Sequence, residues 1–208
     1  MRIVVFGPTG GTGRQLVAQA LAAGHQVTAF TRDAAAISPS PGLTVVAGST
    51  LDADAVGQAI AGQDVVLCAL GGRPWQRRAR VCSSAVNNIV PSMLRHGVRR
   101  IVAISTFGAG DSRPRLGWFV RKVIFGLILK HEVADKEAME QALSATRLEW
   151  IAVRVGVLTD GAAVGTWRAA DDASMRRMGK IARADVAAFM LAQLDTETWV
   201  RRKPALMY

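Results

Sequence analysis

The chain predicts an α/β fold: a doubly wound, mostly parallel sheet with helices on both faces and a small C-terminal substrate lobe. Three observations predict it. Short apolar runs of strand length alternate with helical patterns along the chain; the runs are apolar throughout, so both of their faces are covered; and the first run breaks into glycines before resuming as a helix. This arrangement, the Rossmann fold, places its ligand at the C-terminal ends of the strands, where the strand order reverses.

The elements follow in order. Arg2 to Phe6 (RIVVF) is the first strand, and Leu16, Val17, Ala20 and Leu21 recur at helical spacing, so a helix runs from Gly11 to Ala23 and Gly24 ends it. Further strands are read at Gln26–Phe30, Leu43–Gly48, Asp64–Leu70, Arg99–Ser105 and Leu148–Arg154. Helical patterns lie between them at Asp52–Ala61, with Asp52 as N-cap, at Arg78–His96, bent or broken near Pro91, and at Glu132–Ala145. SPSPG, Ser38 to Gly42, is a surface loop.

With 208 residues, 50% of them apolar, the chain buries one substantial core, so residues 1–208 are expected to form a single dinucleotide-binding domain. Its substrate lobe would come from 108–131 and 156–182. No stretch approaches the ~20 apolar residues of a membrane span, and Met1 runs directly into the first strand without a leader pattern, so a cytoplasmic location is expected. Cys68 and Cys82 lack C-x-x-C spacing and read as reduced, structural thiols, while His25, His96 and His131 are scattered and suggest no metal site.

The turn after the first strand carries the chemistry. Gly7-x-x-Gly10-x-x-Gly13 opens a helix, where free N–H groups and the helix dipole favour an anion and glycines let a pyrophosphate approach the main chain. The second strand ends in Thr31-Arg32-Asp33, about 20 residues further on, where the ribose of a dinucleotide lies. A guanidinium there grips a 2′-phosphate, so Arg32 points to NADP (NADPH); the other reading turns Arg32 to solvent and Asp33 to the ribose. Arg14, beside Gly13, either assists at a phosphate or faces solvent.

GPTGGTGR, a strand ending TRD, then CALGG, AISTFGAG, DKEAME, RVGVLTD and IARADVA together resemble the NmrA-like branch of atypical short-chain dehydrogenases/reductases, nearest the flavin reductase/biliverdin-IXβ reductase type. The resemblance covers nearly the whole chain. It implies that Gly7, Thr9, Gly10, Gly11, Thr12 and Gly13 surround the pyrophosphate, that Ser49 and Thr50 lie by the adenine, and that Leu70, Gly71 and Gly72 flank the adenosine and its ribose. It further implies that Ser105 and Thr106 stand beside the nicotinamide and that the turn holding Val155, Gly156 and Val157 closes over it. Lys136 either bonds the nicotinamide ribose or pairs with Glu140 at i,i+4.

The chain departs from the family pattern in three places. Gly48 is followed by Ser49 and Thr50 where an aspartate often receives the adenine amino group. Glu132 stands four residues before Lys136, where many relatives have a tyrosine acid, and Val157 stands where flavin-reductase-like proteins have a histidine. Ser105 is then the candidate catalytic residue, orienting an acceptor or a water, with its proton drawn from solvent; alternatively it bonds neighbouring backbone. The expected activity is hydride transfer from NADPH to a flat, electron-poor acceptor: a flavin, a bilin or a quinone-like compound. The alternative is a non-catalytic NADP(H)-binding sensor or scaffold.

The net charge of +10 is concentrated in RPWQRRAR, Arg73 to Arg80, and in Arg113, Arg115, Arg121, Lys122 and Lys130. Both groups follow strand ends, which suggests a planar, anionic small-molecule substrate; solvated helix faces give the same pattern. Leu116 to Lys130 is too apolar for a solvated loop and reads as a buried part of the lobe, a lid, a dimer face or an interfacial helix. Aromatic residues suited to base stacking are sparse, so nucleic acid is not expected. The expected state is a monomer or weak homodimer.

Overall fold

The computed structural model describes residues 1–72, 80–118, 120–171 and 178–208. Among these, the strands are β1 (Arg2–Phe6), β2 (Gln26–Thr31), β3 (Leu43–Ala47), β4 (Val65–Cys68), β5 (Arg100–Thr106), β6 (Glu149–Val155), β7 (Val157–Thr159), β8 (Arg168–Ala170), β9 (Lys180–Ala182) and β10 (Ala205–Met207). The α-helices are α1 (Gly11–Ala22), α2 (Ala53–Ile60), α3 (Val81–His96), α4 (Lys130–Ser144) and α5 (Arg183–Leu191). The main sheet has the order β3-β2-β1-β4-β5-β6-β10-β8, parallel except for the antiparallel β10–β8 pair. The order reverses at β1 and β4, so their C-terminal ends face a shared crevice.

The continuous apolar strands divide their side chains between two cores. Val4, Phe6, Val66, Cys68, Ile101, Ala103, Trp150 and Ala152 pack on one face with residues of α2, α3 and α4. Ile3, Val5, Val65, Leu67, Val102, Ile104, Ile151 and Val153 pack on the other with α1 and α5. Alternation of residues between the two faces is what an apolar strand buried on both sides requires.

The six strands expected from the sequence are all present, the first at its expected bounds and the others with ends shifted by at most two residues. Asp52 caps α2 as expected, its Oδ1 accepting from the backbone N–H groups of Asp54 and Ala55 at 3.0 and 3.1 Å. The break near Pro91 is not found: α3 runs unbroken from Val81 to His96 with Pro91 inside it, and the earlier start at Arg78 falls among residues 73–79, outside the described residues. Pro91 leaves the Asn87 carbonyl without its helical donor, yet burial of Cys82, Ala85, Val86, Ile89 and Met93 on this helix outweighs that loss.

The strands and helix after residue 156 were not read from the sequence. β7 and β9 form a separate two-stranded parallel sheet, and β10 enters the main sheet between β6 and β8. Asp185, fully buried on α5, gathers this region: it accepts from the N–H groups of Val164 and Gly165 at 2.8 and 3.0 Å and from the Tyr208 hydroxyl at 2.5 Å. The Tyr208 hydroxyl in turn accepts from the Ala182 N–H at 3.0 Å.

Leu116 to Lys130 is neither a loop nor wholly buried. It contains a π-helix, Val120–Ile128, whose Val120 and Ile124, with Leu129 beyond it, pack over Phe107, Ala109, Leu116, Val133, Ala205 and Met207. No helix among the described residues is long and apolar enough to cross a membrane.

Burial raises the Asp185 carboxyl, but hydrogen bonds from Tyr208, Val164 and Gly165 outweigh it and hold it below the ordinary carboxylate range. A depressed folded-state pKa gives stability that is complete above the unfolded value, about 3.9, and is lost as pH falls through the folded one. Thermal melts of the wild type should therefore weaken on acidification below about pH 4, while Asp185→Asn, less stable at neutral pH, should lose less over the same interval. Parallel losses in both proteins would assign the acid sensitivity elsewhere.

Candidate functional site

The β1–α1 turn is a cradle with an uncapped helix start. Gly10 is the N-cap, with extended backbone and no side-chain cap, and no acidic residue occupies the first turn. The N–H groups of Gly11, Thr12 and Gly13 therefore have no intrahelical partner and offer themselves to an anion. The glycines differ in what demands them. A Cβ on Gly13 would stand 1.9 Å from the Gly7 carbonyl oxygen, and Gly7, with φ at +83°, would put a Cβ 2.8 Å from the Ala69 carbonyl oxygen. Both are required by the turn itself. Among the described residues, a Cβ on Gly10 would meet only the Gly7 oxygen at 3.5 Å, so space remains above that residue.

Thr9 is half-buried, Thr12 buried in the turn, and Arg14 reaches back over it, its Nη1 donating to the Thr9 carbonyl at 2.5 Å. Gly11 faces an arginine that sequence reasoning missed. A Cβ there would lie 2.5 Å from Arg183 Cδ, and Arg183 Nη1 donates to Asp160 Oδ1 at 2.7 Å. The signal was IARADVA, which supplies Ala182, Arg183 and Asp185 together but gives no partner for any of them.

At the end of β2, Arg32 is exposed and enters no hydrogen bond or ion pair among the described residues. Asp33 is turned to its own chain: its Oδ1 accepts from the Ala35 N–H at 3.1 Å and caps a short 3-10 turn, Ala34–Ala36. After β3, a Cβ on Gly48 would come within 2.7 Å of the Phe30 ring. Ser49 Oγ accepts from the Leu51 N–H at 3.2 Å, and the Thr50 carbonyl accepts from Asn88 Nδ2 at 2.8 Å, so this turn is held without an acidic side chain.

Beyond β4, added Cβ atoms on Gly71 and Gly72 would meet no atom of the described residues within 4 Å. Leu70 contributes its carbonyl, which accepts from Lys136 Nζ at 2.8 Å and from the Cys82 thiol at 3.4 Å. Lys136 Nζ also donates to the Ile104 carbonyl at 2.7 Å. The i,i+4 pair with Glu140 is thus not formed: Lys136 is buried and ties the ends of β4 and β5, while Glu140 has other partners. Its neighbour Asp135 receives the N–H groups of Cys82 and Ser83 at 2.8 and 2.9 Å and so caps α3 from another helix. Burial raises both thiols, Cys82 to about 12, as expected of structural cysteines.

Ser105 is 1% exposed, and its hydroxyl donates to Glu140 Oε1 at 2.6 Å. Glu140 is held in turn by Arg154, whose Nε and Nη2 donate to its two oxygens at 2.9 and 2.7 Å, and Lys203 Nζ stands 3.5 Å away. Arg154 Nη2 also meets Asp111 at 2.7 Å. Ser105 therefore bonds a carboxylate instead of the backbone of the competing expectation. Thr106, one residue further, is half-buried and its hydroxyl has only a 3.5 Å contact with the Phe107 carbonyl. Glu132, in the tyrosine position, is half-buried, and burial raises its carboxyl.

Val155 is buried and Val157 is 45% exposed. Gly156 between them is required by packing, since its Cβ would lie 2.1 Å from the Gly179 carbonyl, which accepts from the Val157 N–H at 2.9 Å. On the outer side of the region, Arg113, Arg121, Lys122 and Gly126 line a cleft of about 450 Å³. The other basic run, RPWQRRAR, lies at 73–79 outside the described residues, with Arg80 exposed at its end. Among the described residues no cluster fit for a metal ion occurs.

A family model described as NAD(P)H-binding matches residues 7–197, from the first glycine of the cradle to beyond α5. The chain belongs to the NAD(P)H-binding family. Solved structures agree with the fold. ChuY of Escherichia coli O157:H7, described as an anaerobilin reductase, is 26% identical and matches with a TM-score of 0.85 over 100% of this chain and 97% of its own. A wide-type short-chain dehydrogenase/reductase of Veillonella parvula, in complex with NADP, matches with a TM-score of 0.83 over 100% of this chain and 94% of its own, at 18% identity. An uncharacterized protein of Mycobacterium tuberculosis is 30% identical over 167 residues, which are 80% of this chain and 16% of that protein. The chain thus spans less than a fifth of the curated relatives that it matches.

For this NAD(P)H-binding chain, the cradle predicts different fates for two glycines. Gly10→Ala should fold normally, because its backbone is extended and its nearest contact is ordinary, but should lose dinucleotide affinity as the methyl enters the phosphate space. Gly13→Ala should be unstable before any ligand is added. Melting curves and dinucleotide titrations separate the two, and a Gly10→Ala protein that binds as tightly as wild type would show that the phosphates lie elsewhere.

Proposed function

We propose that the chain is an NADPH-dependent reductase that passes hydride to a flat, electron-poor acceptor such as a flavin, a bilin or a quinone-like compound. The observation that carries this reading is the uncapped, open start of α1 with an unpaired Arg32 at the neighbouring strand end. The description of ChuY as an anaerobilin reductase supports an acceptor of bilin type, and the sequence motifs support placement in the NmrA-like, flavin-reductase-like branch.

In this reading Gly10 and the N–H groups of Gly11, Thr12 and Gly13 bind the pyrophosphate, with Gly7 and Thr9 shaping the turn and Arg14 holding it closed. Arg32 receives the 2′-phosphate, because Asp33 spends its carboxylate on a turn and does not compete for the ribose. Ser49 and Thr50 border the adenine, Leu70, Gly71 and Gly72 the adenosine ribose, and Thr106 with Val155, Gly156 and Val157 the nicotinamide. Bound NADPH supplies the hydride from its nicotinamide ring. Lys136 acts beneath the crevice by joining the Leu70 and Ile104 carbonyls. Residues 108–131 and 156–182 form the substrate lobe. Ser105 positions the wall through Glu140, and the proton needed by the reduced acceptor comes from water, since alignment over the nicotinamide is the chief demand of such a transfer.

Two observations favour a second reading, a non-catalytic NADP(H)-binding sensor or scaffold: the Ser105 hydroxyl is turned into Glu140, and Glu132, not a tyrosine, stands four residues before Lys136. Loss of NADPH absorbance in the presence of flavins, bilins and quinones decides between them. Tight NADPH binding without oxidation by any of these acceptors would establish the sensor.

Two substitutions test the assignments. A charge-assisted contact worth about 1.5–3 kcal/mol predicts a roughly ten- to hundredfold preference for NADPH over NADH, which Arg32→Ala should abolish; equal affinities in the wild type would remove the 2′-phosphate assignment. Ser105→Ala leaves a buried carboxylate short of one donor, so it should cost about 1.5–3 kcal/mol of stability. Its kcat/KM should fall by less than the ~10²-fold expected for a general acid. A larger fall at unchanged stability would restore Ser105 to direct chemistry.

A further inference from the structure

We infer that the exposed face of residues 117–130 docks on an anionic lipid surface. Its described side chains are apolar on two sides, and among the described residues only one of these sides is covered. Arg121 N–H donates to the Gly117 carbonyl at 2.9 Å and Leu129 N–H to the Ile124 carbonyl at 2.8 Å, so the segment starts with a four-residue and ends with a five-residue repeat. Val120, Ile124 and Leu129 follow those steps on the inner side and pack over the core. Trp118, Lys122 and Leu127 follow the same steps on the outer side. There Trp118, Leu127 and Ile128 are 66%, 74% and 56% exposed.

Cations surround this apolar strip. From Ser112 to His131 the chain carries Arg113, Arg115, Arg121, Lys122 and Lys130 and no aspartate or glutamate, and none of these five enters an ion pair among the described residues. Arg113, Arg121 and Lys122 converge on the cleft of about 450 Å³, which is open to a phosphate group.

Charge selects the occupant. A second copy of the same face would bring two sets of unpaired cations together, which opposes self-association. An acidic protein would answer the charges but has no need of a protruding Trp, Leu and Ile beside them. An anionic bilayer answers both: its phosphates meet the cations, Trp118 sits at headgroup level, and Leu127 and Ile128 enter the acyl boundary. The segment follows β5, at the sheet end that bears the crevice, so docking would bring the mouth of the site to the lipid surface. The inference does not rest on reductase activity.

The test is co-sedimentation of the full chain with vesicles of phosphatidylcholine alone or mixed with phosphatidylglycerol. Wild type should sediment with the anionic vesicles, less so in high salt, and remain free of the neutral ones. Both Trp118→Ser/Leu127→Ser and Arg121→Glu/Lys122→Glu should bind roughly tenfold more weakly or worse. A control with the same change of charge, Arg95→Glu/Arg99→Glu at the opposite end of the sheet, should bind far better than the Arg121/Lys122 pair. Retained NADPH binding reports that each variant is folded.

Several outcomes would overturn the inference: no binding to either vesicle, full binding by Trp118→Ser/Leu127→Ser, or equal weakening by the Arg95/Arg99 control, which would reduce the effect to net charge. A wild-type dimer without vesicles that the Trp118/Leu127 variant dissolves would assign the face to self-association. Brominated phosphatidylglycerol gives a measurement that risks no unfolding. It should quench wild-type fluorescence and do so much less in Trp118→Phe, whereas equal quenching in the two would also overturn the proposal.

Discussion

The Glu140 carboxylate is buried among the ends of β5, β6 and α4, and the wall of the crevice depends on its neutralisation. Arg154 meets it with two nitrogens and is itself wholly buried, so each charge loses its bidentate partner without the other and keeps only Asp111 or Lys203. Removing one member of a buried pair is generally destabilising, because the survivor stays desolvated with its charge less well compensated. The pair therefore contributes more to position than to net stability. Ser105 is drawn to Glu140 from β5, Lys203 from the approach to β10, and Asp111 to Arg154 from the turn after β5. Four chain segments are thereby registered around one carboxylate.

The same helix supplies two more anchors of this kind. Asp135 caps α3, and Lys136 bridges the carbonyls at the ends of β4 and β5. Within six residues α4 thus joins the helix behind the sheet to three strand ends. The β1–α1 turn is rigid for another reason, since its backbone packs on itself at Gly7 and Gly13. Side-chain polarity orders one wall of the crevice, and the absence of side chains orders the other.

Local pattern made much of this legible. The apolar strands, the glycine turn and the Asp52 cap each show in a few neighbouring residues. What could not be read depends on partners distant in sequence. Ser105 meets a carboxylate thirty-five positions away, and nothing in RRIVAIS announces it. Lys136 and Glu140 have helix-pair spacing, yet each bonds groups at the strand ends instead of the other. Pro91 looks like a helix break until the burial around it is known. β8 and β10 are only three residues each, too short for periodicity to register. Gly13 was legible as a glycine but not for its reason: the carbonyl of Gly7, more than any ligand, excludes its side chain.

The two rims of the sheet differ in how they face another chain. β8 is three residues long and antiparallel, a blunt margin with little ladder to extend. β3 is five residues of LTVVA, hydrogen-bonded to β2 on one side, with no strand among the described residues on the other. An open row of N–H and C=O groups on a β-branched strand is a template for intermolecular pairing. Pro39 and Pro41 lie directly upstream and have no N–H to lengthen that row. They limit the unpaired margin to the five residues of β3, and prolines beside an exposed strand edge generally disfavour edge-to-edge pairing.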